Sequence, residues 1–203
     1  MFSNQWHSEN VPTWDKFFDA FDASKVLEIG SYEGQSACWL IDKLAARHPL
    51  EIHCVDRWDS IGAYSAGLNP KPGDMDEVEQ RFNHNLDKAI LSAPHPVTVG
   101  IHRGESWREM MHLIVQLGAG YFDFIYIDGS HLAFDVLTDA VLAFKLLRPG
   151  GFMCFDDYIW GDGSNFLASP KLGIDGFVNA GISVMFKVLP TPCTQVFLQK
   201  VCE

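Results

Sequence analysis

Three acids, Asp128, Asp156 and Asp157, stand directly after two short apolar runs at 122–127 and 152–155. If those runs lie side by side as strands, the acids converge although they are far apart in sequence. Three carboxylates in one place repel one another and raise each other's pKa, so the arrangement calls for a cation. Oxygen ligands at this density suit Mg2+, or another divalent ion such as Ca2+, better than zinc. His131 closes the run Asp128-Gly-Ser-His131. Histidine is the side chain that can take a proton near neutral pH. At this position it is a base, a fourth metal ligand, or simply the first residue of a helix. The acids have other readings as well. Asp156 and Asp157 can cap the loop that follows, and Asp128 can hold a ligand's ammonium group.

A second group with chemical potential is Glu28-Ile-Gly30-Ser-Tyr32-Glu-Gly34-Gln-Ser36. Val26, Leu27 and Ile29 before it form a buried strand, and Ala37, Trp39, Leu40 and Leu44 after it form an amphipathic helix. Glycine in the turn between them lets the backbone approach a ligand with no Cβ in the way. A dinucleotide fingerprint starting at Gly30 would need glycines at 32 and 35, where this chain has Tyr32 and Gln35. Glu28 beside the turn suits a cationic ligand, not a pyrophosphate. Asp56 ends the next apolar run, 51–56, where an acid can accept both hydroxyls of a ribose or merely cap a turn. Arg57 and Trp58 follow it.

The elements that must position these groups alternate in type. The pattern predicts helix 11–22, strand 25–29, a helix from 36, strand 51–56, a turn-rich loop 60–74 and helix 75–91. Strand 97–101 and a helix through Met110, Leu113 and Leu117 come next, with Ser106 as that helix's N-cap. Strand 122–127 then leads to a helix over 132–147, stopped by Pro149-Gly150-Gly151, and to strand 152–155. A glycine-rich aromatic loop, 158–170, hangs over the acids, with Tyr158 and Trp160 as walls of a pocket. Helix 171–180 precedes two closing strands, 182–189 and 195–201, joined at Pro190-Thr-Pro192. Strands alternating with helices give an α/β domain over 1–203, and right-handed crossovers set all the acid-bearing ends on one side of a parallel sheet.

The turn Glu28–Ser36 resembles the cofactor loop of class I S-adenosylmethionine-dependent methyltransferases. Tyr32, the paired strand ends Asp128 and Asp156-Asp157, and the antiparallel finish are similar to the catechol O-methyltransferase-like branch and to bacterial small-molecule O-methyltransferases. The resemblance spans nearly the whole chain. It implies a Rossmann-like three-layer sandwich, with a seven-stranded, mostly parallel sheet and an antiparallel C-terminal strand. It implies S-adenosylmethionine held by Glu28, Gly30, Tyr32, Gly34, Ser36, Asp56, Arg57, Ser106 and Asp128, with Ser106 on the adenine; Arg57 and Trp58 stand after Asp56 where they could border that ring, though spacing does not fix it. It further implies Mg2+ on Asp128, Asp156 and Asp157, where the catechol branch has asparagine at the third position. His131 stands where that branch carries its lysine base, which makes His131 and Asp128 the catalytic pair. The expected reaction is O-methylation of a hydroxylated small molecule. The alternatives are a metal-free methyltransferase of the same fold and a non-catalytic binder of the cofactor. A nicotinamide oxidoreductase is disfavoured by Tyr32 and Gln35.

Composition sets the outer bounds. The 203 residues carry a formal net charge of −11 and show no Lys/Arg cluster, which argues against a nucleic-acid partner. No secretory leader or membrane-length apolar run is visible, so a cytoplasmic location with no membrane partner is expected. The five cysteines lack Cys-x-x-Cys spacing, which favours buried reduced thiols. Self-association into a homo-oligomer is left open.

Overall fold

The computed structural model describes residues 2–71, 73–161, 168–181, 186–189 and 194–201. Seven strands form one sheet in the order β3-β2-β1-β4-β5-β7-β6. They are β1 (Lys25–Ile29), β2 (Leu50–Asp56), β3 (Val97–Arg103), β4 (Phe122–Ile127), β5 (Leu147–Phe155), β6 (Phe186–Leu189) and β7 (Val196–Lys200). The pairings among β1 to β5 are parallel, and β7 runs antiparallel to both β5 and β6. This is the expected Rossmann-like sandwich with its antiparallel finish.

Alternation along the strands explains the layers. In β1, Val26 belongs to one apolar cluster and Leu27 and Ile29 to the other, because successive side chains leave opposite faces. One face is covered by α1 (Val11–Ala20), α2 (Gln35–Leu44) and α4 (Asp74–Ser92), through Trp14, Phe18, Leu40, Ile41 and Phe82. The other is covered by α5 (Ser106–Leu117), α6 (Ala133–Leu146) and α7 (Pro170–Gly181), through Met110, Leu113, Val136, Ala140 and Ile174. A sheet buried on both faces needs near-continuous apolar strands, and these runs supply them. Each fully buried large side chain contributes roughly 1.5–3 kcal/mol. Trp14 also satisfies its indole N–H on Gln195 Oε1, at 2.8 Å.

Three expectations need correction. The segment 60–74 is not all loop: Ser60–Ser65 forms a short helix, α3, because the Asp59 carboxylate caps it by accepting from Gly62 N–H at 2.8 Å. Pro149-Gly150-Gly151 does not separate helix from strand, since β5 already starts at Leu147. Its pairing with β4 jumps from Phe122↔Leu147 to Phe124↔Phe152, so the proline, which has no ladder donor, bulges out of register. Ser106 is the first residue of α5, whose N-cap is Glu105.

Cys38, Cys54 and Cys154 are buried thiols, as expected. Residues 162–167 of the aromatic loop, the start of the penultimate expected strand, the turn 190–193 with Cys193, and Cys202 lie outside the described residues. Among the described residues, no helix is long and apolar enough to cross a membrane.

Candidate active site

The strand order reverses between β1 and β4, and in open α/β sheets ligands bind at that crevice, beyond the strands' carboxyl ends. A cavity of about 1270 Å³ opens there. Its walls join the turn after β1 to the turns after β2, β3, β4 and β5, roofed by α3 and by the N-terminal segment around Trp6 and His7. The volume exceeds the 300–1,000 Å³ usual for one small ligand, so a cofactor and a second reactant fit together.

The glycine turn is built from the backbone outward. Gly30 has φ +86°, and a Cβ there would lie 2.0 Å from the carbonyl oxygen of Asp128. That contact sets the β1 turn against the β4 turn. Asp56 holds the same turn from the other side. Its Oδ2 accepts from Ser31 N–H (3.0 Å) and Tyr32 N–H (2.8 Å), and its Oδ1 from Trp58 N–H (2.8 Å). The carboxylate expected to take a ribose therefore already serves as a fastening for the loop, although Asp56 still borders the cavity.

Glu28 departs further from expectation. It is 0% exposed and does not line the cavity, but sits beneath the turn with Oε1 accepting from Ser36 Oγ. Its Oε2 has no partner. Burial pushes its pKa up to about 7. Gly34, in the left-handed region, is the N-cap of α2, and Tyr32 and Ser36 line the cavity beside it. Arg57 lines it too, with its guanidinium bonded to Asp59 and, at 2.7 Å, to Glu105. Trp58, in contrast, is buried behind the loop with its indole N–H on Tyr32 O, so it does not border a ligand. Ser106 lines the cavity, but its hydroxyl donates to Asp139 Oδ1 at 2.6 Å.

At the β4–β5 end, Asp128, Asp156 and Asp157 do converge. The Tyr126 hydroxyl bridges Asp128 Oδ2 (3.0 Å) and Asp156 Oδ2. Asp156 Oδ2 also accepts from Asn10 Nδ2 (3.1 Å) and Gln195 Nε2 (3.0 Å), while its Oδ1 accepts from Asp157 N–H (2.9 Å). Burial first, then the Asp156 and Asp157 charges, raise the Asp128 pKa well above the usual carboxylate range. Burial likewise raises that of Asp156. Asp157 pairs with His131 Nε2 at 2.8 Å, and the His131 backbone N–H donates to Ser65 O at the end of α3. His131 Nδ1 is buried without a partner, and the Trp160 ring lies 4.2 Å from the imidazole.

This geometry does not fit a metal centre. Among the described residues, no three His, Cys, Asp or Glu side chains are grouped to hold an ion. Both oxygens of Asp156 already accept hydrogen bonds from the protein, and an ion would have to displace them.

A family model described as a methyltransferase domain matches residues 27–158, from within β1 past the end of β5. The chain belongs to that methyltransferase family. Among solved structures it is similar to the O-methyltransferase TomG of Streptomyces achromogenes, involved in tomaymycin synthesis and in complex with SAM. Identity there is 19%, the TM-score 0.63, and 96% of this chain and 80% of that one are covered. It is also similar to the Bacillus cereus O-methyltransferase in complex with SAH, at 18% identity and TM-score 0.65, covering 98% and 84%. The MycE methyltransferase of mycinamycin biosynthesis, in complex with Mg and SAH, matches at 19% identity and TM-score 0.59, covering 99% of this chain and 51% of that one. A search of curated proteins found no match.

Sequence reasoning missed several groups in this methyltransferase's cavity. Tyr126 had a readable signal: two residues before Asp128 on a strand, it shares that residue's face. Asp139 also had one, as an acid on the stripe Val136, Ala140 and Phe144 of α6; burial pushes its pKa to about 7. His7 had none. It is 7% exposed, with neither ring nitrogen partnered, its ring edge-on to Trp14 at 4.5 Å and its pKa lowered by burial to about 4. Asn10, on Asp156, was equally invisible.

Proposed function

We propose that the protein transfers the methyl group of S-adenosylmethionine to a hydroxyl of a small-molecule acceptor. The observation that carries this reading is one continuous cavity joining the Gly30–Ser36 turn to the His131–Asp157 pair. Support for the cofactor comes from the SAM and SAH named with the TomG and Bacillus cereus structures. Support for a small acceptor comes from the MycE structure that also holds mycinamycin VI.

In the reaction, the acceptor oxygen attacks the methyl carbon as the carbon–sulfur bond breaks, leaving S-adenosylhomocysteine, and the hydroxyl proton must leave. His131 is built to take it. Asp157 accepts from Nε2–H and so fixes the tautomer, which leaves the Nδ1 lone pair free for the acceptor's proton. Asp128 and the turn around Gly30 align the two reactants, the larger part of what such a site contributes. A divalent ion, if bound, would use Asp128, Asp156 and Asp157 and would lower the hydroxyl pKa. Those residues as placed do not fit one, and no step here needs it.

The test is titration calorimetry with S-adenosylhomocysteine and NADH, followed by transfer of labelled methyl to a panel of phenols and sugars, with and without chelator. Binding of S-adenosylhomocysteine alone and chelator-resistant transfer are expected. Binding of NADH alone would overturn the reading, and loss of turnover with chelator, restored by Mg2+, would overturn its metal-free form.

A further inference from the structure

The charge of the cavity is one-sided. Nine carboxyl side chains line it against a single guanidinium, Arg57. Most of these acids are already matched. Arg57 holds Glu105, Arg81 holds Glu33, Asp56 holds backbone amides, and Asp135 and Asp139 accept from serine hydroxyls. What remains, besides the solvent-exposed Glu9, is Asp128, Asp156 and Asp157, whose partners among the described residues are Tyr126, Asn10, Gln195, His131 and a backbone amide. None of these partners is a lysine or an arginine.

The cofactor does not balance this charge. S-adenosylmethionine has two positive centres, and its own carboxylate cancels one. A resident metal would balance it, but Asp156 is closed to an ion by three amide donors, Asn10, Gln195 and the Asp157 backbone. Asp128 is different: among the described residues it accepts one side-chain hydrogen bond, from Tyr126. An ammonium group needs only one or two open acceptors and asks for no fixed coordination geometry.

Two further features of the same wall point to a ligand. His131 is 9% exposed, lines the cavity, and leaves Nδ1 unpartnered. The Trp160 indole stands over that histidine and against Gly67, where a Cβ would come within 2.7 Å of the ring. Aromatic faces attract cations within about 6 Å, more strongly when water is excluded.

We propose that the methyl acceptor carries a cationic amine beside its hydroxyl, with the ammonium received by Asp128 and Asp157 near Trp160, and that anionic acceptors are rejected. This rests on the cofactor reading above. The same carboxylates that hold an amine repel a phosphate or carboxylate on the acceptor, so the discrimination works in both directions.

The experiment uses three phenols that differ in the charge of one tail: tyramine, N-acetyltyramine and 4-hydroxyphenylacetate. Their dissociation constants are measured on the full chain saturated with S-adenosylhomocysteine. Tyramine should bind about tenfold or more tighter than N-acetyltyramine, with 4-hydroxyphenylacetate weakest. Asp128→Asn should shrink the tyramine advantage. If that variant does not fold, raising the salt concentration on the unmodified chain should shrink it too. Equal binding of the cationic and neutral members, tighter binding of the anion, or no binding of any phenol overturns the proposal. So does Mg2+ that reverses the order in favour of the neutral or anionic member, because the carboxylates then belong to the metal. Failure of S-adenosylhomocysteine itself to bind defeats the cofactor reading first, and takes this proposal with it.

Discussion

The two halves of the cavity use acids in opposite ways. Beyond β1 and β2, Glu28 and Asp56 face inward: one is sealed under the turn on Ser36, and the other accepts three backbone N–H groups that would otherwise be orphans. Beyond β4 and β5, Asp128 and Asp157 stand at the cavity with a tyrosine and a histidine as partners, and His131 keeps one buried nitrogen without a partner. The first half is pre-shaped, so a ligand meets fixed backbone. The second half is chemically unfinished, with capacity left for what arrives. Acid at a strand end therefore has no single meaning. Its role follows from whether backbone donors reach it before a ligand does.

Gly30 is where the halves touch, so replacing it should break both. In Gly30→Ala, the new Cβ would meet the Asp128 carbonyl at 2.0 Å on a residue with φ +86°. A loss of about 4 kcal/mol or more is expected, with cofactor binding abolished. Thermal melts with and without S-adenosylhomocysteine read both effects, and a variant that melts like the parent would remove Gly30 from the seam.

A change confined to the unfinished half should separate chemistry from cofactor binding. His131→Ala should lower methyl transfer by about 10²–10⁴ while S-adenosylhomocysteine affinity holds. Single-turnover rates beside calorimetric binding make the distinction. Equal loss of both would mean that the histidine supports the wall and takes no proton.

The smallest effect sharpens the claim that the pre-shaped half needs no charge on Glu28. Its pKa is about 7 when folded, against 4.5 ordinarily, because burial disfavours the carboxylate. The folded chain then keeps a proton that the unfolded chain has lost. Stability should fall as pH rises from about 4.5 to about 7, by on the order of 3 kcal/mol, and level off above. Glu28→Gln should remove that contribution, leaving the shallower slope due to Asp139, Asp128 and Asp156, whose pKa values burial also raises, and should leave the variant the more stable form above neutrality. Denaturant midpoints across pH 4–8 measure it, and an unchanged slope would show that Glu28 is already ionised in the fold.

The alternation of apolar runs, the glycine break at Gly30 and the acids at strand ends were legible because they depend on local periodicity and on chain reversal. The family and its three-layer sandwich came with the resemblance that the Glu28–Ser36 turn and the paired strand ends carry. Two local rules failed where a competing partner won. Pro149-Gly150-Gly151 reads as a breaker, yet β4 recruits Leu147 ahead of it and lets the three residues bulge. Ser106 reads as an N-cap, yet its hydroxyl prefers the buried carboxyl of Asp139 on the next helix.

By itself, the sequence determined which side of the sheet carries the chemistry, since every parallel strand must deliver its terminal residue to the same edge. It determined that Asp128, Asp156, Asp157 and His131 would meet. Only the tertiary structure decided which of those groups remain open. Asn10 and Gln195 reach Asp156 from 146 and 39 positions away, and Tyr126 bridges two acids. A carboxylate has a limited number of lone pairs, and which donors fill them is settled by packing between distant segments, which one-dimensional spacing does not encode.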